Sequence, residues 1–228
     1  MQNKIMPTIK FVFKHLIVSF FHIQPGHIKT LALIQIRKSL NRPLIEIREQ
    51  LPVLLNHLKL KGNGVEIGVW EGHFSECIIV NSHLAKLFSI DPWKKFDKKE
   101  YDDIVNVSQA EFEEIYHSVV GRLKKYGDRS KIIRATSLEA SKTFNNNSLD
   151  FIYIDANHSC KACREDLELW WPKLKKGGIF AGHDFLDAHL PTGDYGVRKA
   201  VTEFVAIHEQ RLFISYEKEY PSWYLIKK

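Results

Sequence analysis

Residues Leu149–Phe185 read LDFIYIDANHSCKACREDLELWWPKLKKGGIFAGHDF. Phe151–Ile154 is a short β-branched and aromatic run between polar residues, the pattern of a buried parallel strand. Asp155, Asn157 and His158 follow where that strand should end. Cys163, Leu167, Trp170, Trp171 and Leu174 then recur at mostly helical spacing, up to Lys176-Gly177-Gly178. Lys173, Lys175 and Lys176 suit the negative end of a helix, and glycine admits a left-handed cap. Ile179–Gly182 is a second strand, ending in His183 and Asp184. In a parallel sheet both carboxyl ends face one edge, so Asp155, His158, His183 and Asp184 are expected to converge there. Open α/β sheets bind their ligands at that edge.

The rest of the chain extends this alternation. Arg42–Leu60 has helical apolar spacing, with Asn41 as a cap and Pro43 in the first turn. Val65–Val69 reads as a strand running into Trp70-Glu71-Gly72 and a helix to about Asn81. The motif is E-x-G-x-x-x-G, from Glu66, Gly68 and Gly72. It is neither the dinucleotide fingerprint nor a P-loop. Leu87–Ile90 is the next strand, ending in Asp91, where a carboxylate can accept both hydroxyls of a ribose. Lys94–Val107 is a long charged connection of the kind that forms lids. Ser108-Gln109-Ala110-Glu111 matches a capping box, opening a helix that Gly127 closes. Ile132 and Ile133 form a third strand, and Arg134–Ser137 follow. Leu186–Tyr195 reads as a loop, Val197–Val205 as an amphipathic helix, and Leu212–Tyr216 with Trp223–Ile226 as a hairpin.

Length and charge limit the function classes. At 228 residues with 44% hydrophobic content, the chain suits one packed α/β domain, residues 41–228, plus an arm, residues 1–40. Residues 1–61 hold ten Lys/Arg and two Glu; the remainder carries 23 basic and 25 acidic residues. The main domain is therefore near neutral, which argues against a nucleic-acid partner. The arm contains KFVFKHLIVSFFHI, Lys10–Ile23, whose apolar run is shorter than the roughly twenty residues of a membrane span. A basic, aromatic helix there would serve a homo-oligomer contact, pack on the domain, or rest on an anionic membrane surface. Three cysteines make no disulfide framework, so a cytoplasmic location is expected, with peripheral contact at the inner membrane surface as the variant. Cys160 and Cys163 form C-x-x-C but lack a second pair for structural zinc, and read as helix packing.

Four segments together resemble a family. VEIGVWEGHFS, SIDPW, LDFIYIDANHS and GGIFAGHDF resemble, in order, the motifs of class I S-adenosylmethionine-dependent methyltransferases. They are closest to the macrocin-O-methyltransferase-like small-molecule and sugar O-methyltransferases. The resemblance covers residues 62–228 and implies a Rossmann-like, doubly wound α/β sheet of seven strands. Its order would be 3-2-1-4-5-7-6 with the last strand antiparallel. It further implies that Glu66, Gly68 and Gly72 line the methionine part of S-adenosylmethionine, that Asp91 holds the ribose, and that Ser137 lies near adenine. Asp155 and Asp184 would hold a divalent metal such as Mg²⁺, with Asp155 also beside the cofactor and His158 as general base. Catechol-type relatives have Asp-Asn where this chain has His183-Asp184, and a third acidic ligand from Asp102 or Asp103 stays unassigned.

The chemistry is consistent with that expectation. A sugar hydroxyl ionises far above neutrality, and hard oxygen ligands suit Mg²⁺, which keeps exchangeable waters. A nearby imidazole can take the proton as oxygen attacks the sulfonium methyl. The expected acceptor is a hydroxylated small molecule or sugar. Alternatives are a non-catalytic cofactor-binding protein of the same fold, an iron-dependent oxidative enzyme, and a nicotinamide-dependent oxidoreductase.

Overall fold

The computed structural model describes residues 25–39, 44–98, 101 and 103–228. The Lys10–Ile23 stretch, the expected cap at Asn41 and Pro43, and Asp102 lie outside the described residues. In chain order the described elements begin with α1 (Pro25–Ser39), a 3₁₀ turn (Arg48–Gln50), α2 (Leu51–His57) and β1 (Asn63–Ile67). There follow α3 (His73–Asn81), β2 (Lys86–Asp91), α4 (Gln109–Leu123), β3 (Ser130–Arg134), α5 (Ser137–Ser141) and β4 (Leu149–Ile154). The last part comprises α6 (Cys160–Trp170), β5 (Leu174–Gly182), β6 (Asp187–Leu190), β7 (Gly193–Gly196), α7 (Val197–Ile207), β8 (Phe213–Ile214) and β9 (Trp223–Ile226).

Seven strands form one sheet in the order β3-β2-β1-β4-β5-β9-β8. The first five are mutually parallel, and β9 runs antiparallel to β5. Because β8 and β9 are the sixth and seventh strands of this sheet, the order is the expected 3-2-1-4-5-7-6. The expected closing hairpin is present, though its first arm is only two residues long.

Strand alternation sorts the core into two layers. On β4, Phe151 and Tyr153 pack on one face with Leu51, Ile78 and Phe112, while Ile152 and Ile154 pack on the other with Leu167, Trp170 and Val201. All six residues of β4 are buried, as a central parallel strand requires. Ile34 of α1 is fully buried in the first layer. Truncating a core ring such as Phe151 to alanine would cost about 3–5 kcal/mol.

Three local expectations are corrected. The helix expected over Arg42–Leu60 is confined to Leu51–His57, because Pro52 occupies its first turn. Proline inside a continuous helix would clash with the carbonyl four residues earlier, so the helix restarts there. The second correction concerns the end of α6. It stops at Trp170, a 3₁₀ turn spans Trp171–Lys173 across Pro172, and β5 begins at Leu174 rather than Ile179. Lys175 therefore lies on a strand, where its Nζ donates to Asp150 at 2.6 Å. Third, Leu186–Tyr195 is not a plain loop: it contains most of the β6–β7 ribbon, which continues to Gly196. The capping box at Ser108 and Glu111 is present with both of its reciprocal hydrogen bonds.

Candidate functional site

The carboxyl ends of β1, β2, β4 and β5 build the site. At the end of β1 the chain turns at Gly68, with φ +82°. Its N–H donates to the Ile90 carbonyl at 2.9 Å, while the Asp155 N–H donates to the Ile67 carbonyl at 2.8 Å. These bonds extend the sheet by one residue and bring the ends of β1, β2 and β4 together. Asp91 then fastens the loops. Its Oδ2 accepts from the Val69 and Trp70 N–H groups at 2.9 and 3.0 Å, and its Oδ1 accepts from the Trp93 N–H at 2.7 Å. Burial pushes the Asp91 carboxyl up, against these three backbone donors. Trp70 and Trp93 both have positive φ, 50° and 40°, a backbone form uncommon outside glycine. Asp91 thus holds two unfavourable turns beside one cleft.

That cleft has a volume of about 180 Å³ and is lined by Gly68, Asp91, Ser137 and Asp155 with Trp70, Phe96, Tyr101 and Phe112. It is open to solvent, with aromatic walls and few polar groups, the lining typical of small-molecule sites. Ser137 contributes to the wall, but its hydroxyl is already engaged. It donates to the buried Asp166 and accepts from Trp170 Nε1 at 2.8 Å. Burial pushes the Asp166 carboxyl up to about 6.

A second cavity adjoins the first across Gly68 and Asp155. Its lining includes Arg48, Glu66, His73, Phe74 and His158. Glu66, 2% exposed, accepts from Ser75, whose hydroxyl lies 2.7 Å from that of Ser89. Burial pushes the Glu66 carboxyl up to about 8, so it is protonated at neutral pH. Gly72 lines neither cavity. It caps the N-terminus of α3 with φ 76°, and a Cβ there would stand 3.2 Å from Val119.

Beyond Asp155 lies the most highly charged group of the edge. His158 Nε2 is 2.9 Å from Asp184 Oδ2 and 3.5 Å from Asp155 Oδ1, and Nδ1 is 3.2 Å from Asp103 Oδ2. Burial opposes the charged imidazole, but the three carboxylates prevail and raise the His158 pKa well above its ordinary value. Burial likewise opposes charge on Asp184, yet His158 and His183 hold its carboxyl well below the usual range. His183 Nδ1 lies 3.0 Å from Asp184 Oδ1. Asp184 itself has φ +53°, so the backbone is held in an uncommon form where its carboxylate is needed. Two loops close over this group. The Ile104 N–H donates to Thr192 of the β6–β7 ribbon at 3.2 Å, and the Tyr195 ring stacks on His158 at 5.0 Å.

Asp155, His158 and Asp184 offer ligand atoms all within 4.8 Å of one another, a spacing that could hold a metal ion. His158 Nε2 is buried and makes no well-directed hydrogen bond, although carboxylate oxygens face it. The two carboxylates that face this nitrogen, Asp155 and Asp184, have the oxygen chemistry that a divalent cation takes. The C-x-x-C pair lies elsewhere: Cys163 is buried in the core with its thiol pushed up to about 12, and Cys160 is partly exposed.

Several site residues had no signal in the sequence. Arg48 reaches Asp155 Oδ2 with Nη1 at 3.1 Å from a turn preceding β1. Asp103 could be named only as one of two lid acids. Tyr101 and Tyr195 sat in segments without periodicity. Strand-end position marked Asp91, Asp155, His158 and Asp184; nothing comparable marks a residue that arrives from a loop.

A methyltransferase-domain family model matches residues 65–185, just over half of the chain. No curated protein sequence matches the chain. Among solved structures, a candidate caffeoyl-CoA O-methyltransferase from Staphylococcus aureus aligns at a TM-score of 0.58 and 13% identity, covering 94% of this chain and 99% of that one. An O-methyltransferase from Bacillus cereus, solved with S-adenosylhomocysteine, aligns at 0.54 and 12%, covering 95% and 97%. The O-methyltransferase TomG from Streptomyces achromogenes, involved in tomaymycin synthesis and solved with S-adenosylmethionine, aligns at 0.53 and 12%, covering 95% and 96%. At such identities the likeness shows the fold. Together with the family match over the motif-bearing strands, it places the chain in the methyltransferase-domain family, the S-adenosylmethionine-dependent methyltransferases of class I fold.

Proposed function

We propose that this protein transfers the methyl group of S-adenosylmethionine to a hydroxyl of a small polyhydroxylated molecule, such as a sugar or glycan precursor, assisted by a divalent cation. The observation that carries this reading is the juxtaposition of Asp155, His158 and Asp184 beside two joined cavities. The aromatic cleft at Asp91 suits an adenosine, and the Glu66–Gly68 cavity suits the methionine end. A third hollow lies on the far side of His158, between Asp103, Ser159, Lys161 and Asp194, and is the space left for an acceptor.

A divalent cation held by Asp155 and Asp184 would make an acceptor hydroxyl easier to ionise. The carboxylate oxygens of Asp155 and Asp184 suit Mg²⁺ or Mn²⁺. The protein's own groups supply the rest. Asp103 accepts from His158 Nδ1 and so directs Nε2 toward Asp155 and Asp184. While only carboxylates surround it, the ring holds its proton. With a cation held by Asp155 and Asp184, the ring would release that proton to solvent beforehand, leaving Nε2 to receive the hydroxyl proton. The lid and the β6–β7 ribbon exclude water from the transfer. Orientation then supplies much of the rate, because the donor methyl is already activated.

The test is methyl transfer from labelled S-adenosylmethionine to a panel of polyols and sugars, with and without chelator, followed by mass spectrometry of the product. Turnover should need the cation and vanish in Asp155→Ala. Full turnover in chelator would remove the ion from the mechanism, and methylation on nitrogen or carbon would remove the hydroxyl. Within the described residues no helix is long and apolar enough to cross a membrane. The basic residues 1–40 are proposed as a surface for a second copy or for anionic lipid.

A further inference from the structure

The geometry points to Arg48 as the residue that receives the α-carboxylate of the methyl donor, an inference that rests on the donor reading above. The amino-acid end of S-adenosylmethionine carries a carboxylate and an ammonium side by side. The cavity beyond Gly68 contains carboxyl groups for the ammonium, from Asp155, Glu71 and Glu66. For the carboxylate it offers one guanidinium, Arg48; of its two imidazoles, His73 has a side chain 65% exposed and His158 is held among three carboxylates.

Arg48 is prearranged for this role. Its guanidinium lies over the Phe74 ring at 5.0 Å, which narrows its rotamers. Nη1 donates to Asp155 at 3.1 Å and Nε to Glu49 at 3.4 Å, neither of them a short contact. A guanidinium has five N–H donors in a planar fork, so it can keep Asp155 and take a second carboxylate as well. The turn that carries it is fixed from behind. The Tyr216 N–H donates to the Glu46 carbonyl at 2.8 Å, and the Arg48 N–H donates to Glu217 Oε1 at 3.4 Å. Little ordering is left to occur on binding. Arg48 also links the donor site to Asp155, whose other oxygen faces His158.

Calorimetric titration of the full chain with two thioether nucleosides tests the assignment. S-adenosylhomocysteine carries the amino-acid end, whereas 5′-methylthioadenosine lacks it. Arg48→Gln should weaken S-adenosylhomocysteine about 10- to 100-fold, the worth of a charge-assisted hydrogen-bond pair, and leave methylthioadenosine unchanged. Arg48→Lys should recover part of the loss. Equal weakening of both ligands would make Arg48 a structural residue and overturn the inference, as would undiminished affinity for S-adenosylhomocysteine. A wild-type chain that binds neither nucleoside refutes the donor assignment itself, and the role of Arg48 falls with it.

Discussion

A Cβ on Gly68 would stand 2.0 Å from the carbonyl oxygen of Asp155, so the end of β1 and the end of β4 touch through the one residue without a side chain. This contact joins the proposed donor cavity to the carboxylate that faces His158. Gly68→Ala must push the two strand ends apart while holding φ near +82°. The left-handed backbone alone costs an L-residue about 1–2 kcal/mol, and the clash adds to it. We expect a loss of about 2–4 kcal/mol in urea denaturation together with loss of S-adenosylhomocysteine binding. Normal stability and normal affinity together would mean that the strands separate freely.

Asp91 is expected to be a structural clamp as well as a ligand. Asp91→Ala leaves the Val69, Trp70 and Trp93 N–H groups without their acceptor. Losing partners for partly buried donors costs about 1–3 kcal/mol each, so the chain should lose about 2–4 kcal/mol after water compensates in part. The tryptophan fluorescence of the folded protein should change too, because Trp70 and Trp93 sit in the released turns. Unchanged fluorescence would show that the turns hold without Asp91.

Glu66 gives the folded protein a pH dependence of known sign. Its carboxyl is raised from the ordinary 4.5 to about 8 by burial. Between those values the folded state keeps a proton that the unfolded chain has released, so stability falls as pH rises through this window. Glu66→Gln keeps the shape and removes the ionisation. Its stability relative to wild type should improve from pH 5 to pH 9; parallel curves for the two proteins would sink the idea.

His158 should set the pH dependence of cation binding. In chelator, its raised pKa contributes stability in full below about 6.5, and that contribution fades as pH rises through the folded value. Proton and cation compete for the same carboxylates. The rise in melting temperature caused by Mn²⁺ should therefore be larger at pH 8.5 than at pH 6, and Asp184→Asn should abolish it. A shift independent of pH would place the ion elsewhere.

Local order carried most of the fold. The run Phe151–Ile154, the Ser108–Glu111 capping box and the Trp223–Ile226 arm are short-range patterns, and each forms its expected element. Misreadings occur where one residue outweighs a periodicity. Pro52 cut the helix that the leucine spacing extended, and Pro172 ended α6 although its apolar stripe continued to Leu174.

By itself, the sequence determined the strand–helix alternation, the parallel core and the strand-end acids Asp91, Asp155 and Asp184, because strand period and strand-end punctuation are local properties. Tertiary structure alone decided what those acids face. Arg48 meets Asp155 across 107 positions of chain and Asp103 meets His158 across 55. Such pairs are selected by how loops pack over a finished sheet edge. No spacing rule links them, and their charges shift one another's pKa values only after folding has brought them out of water and within a few ångströms.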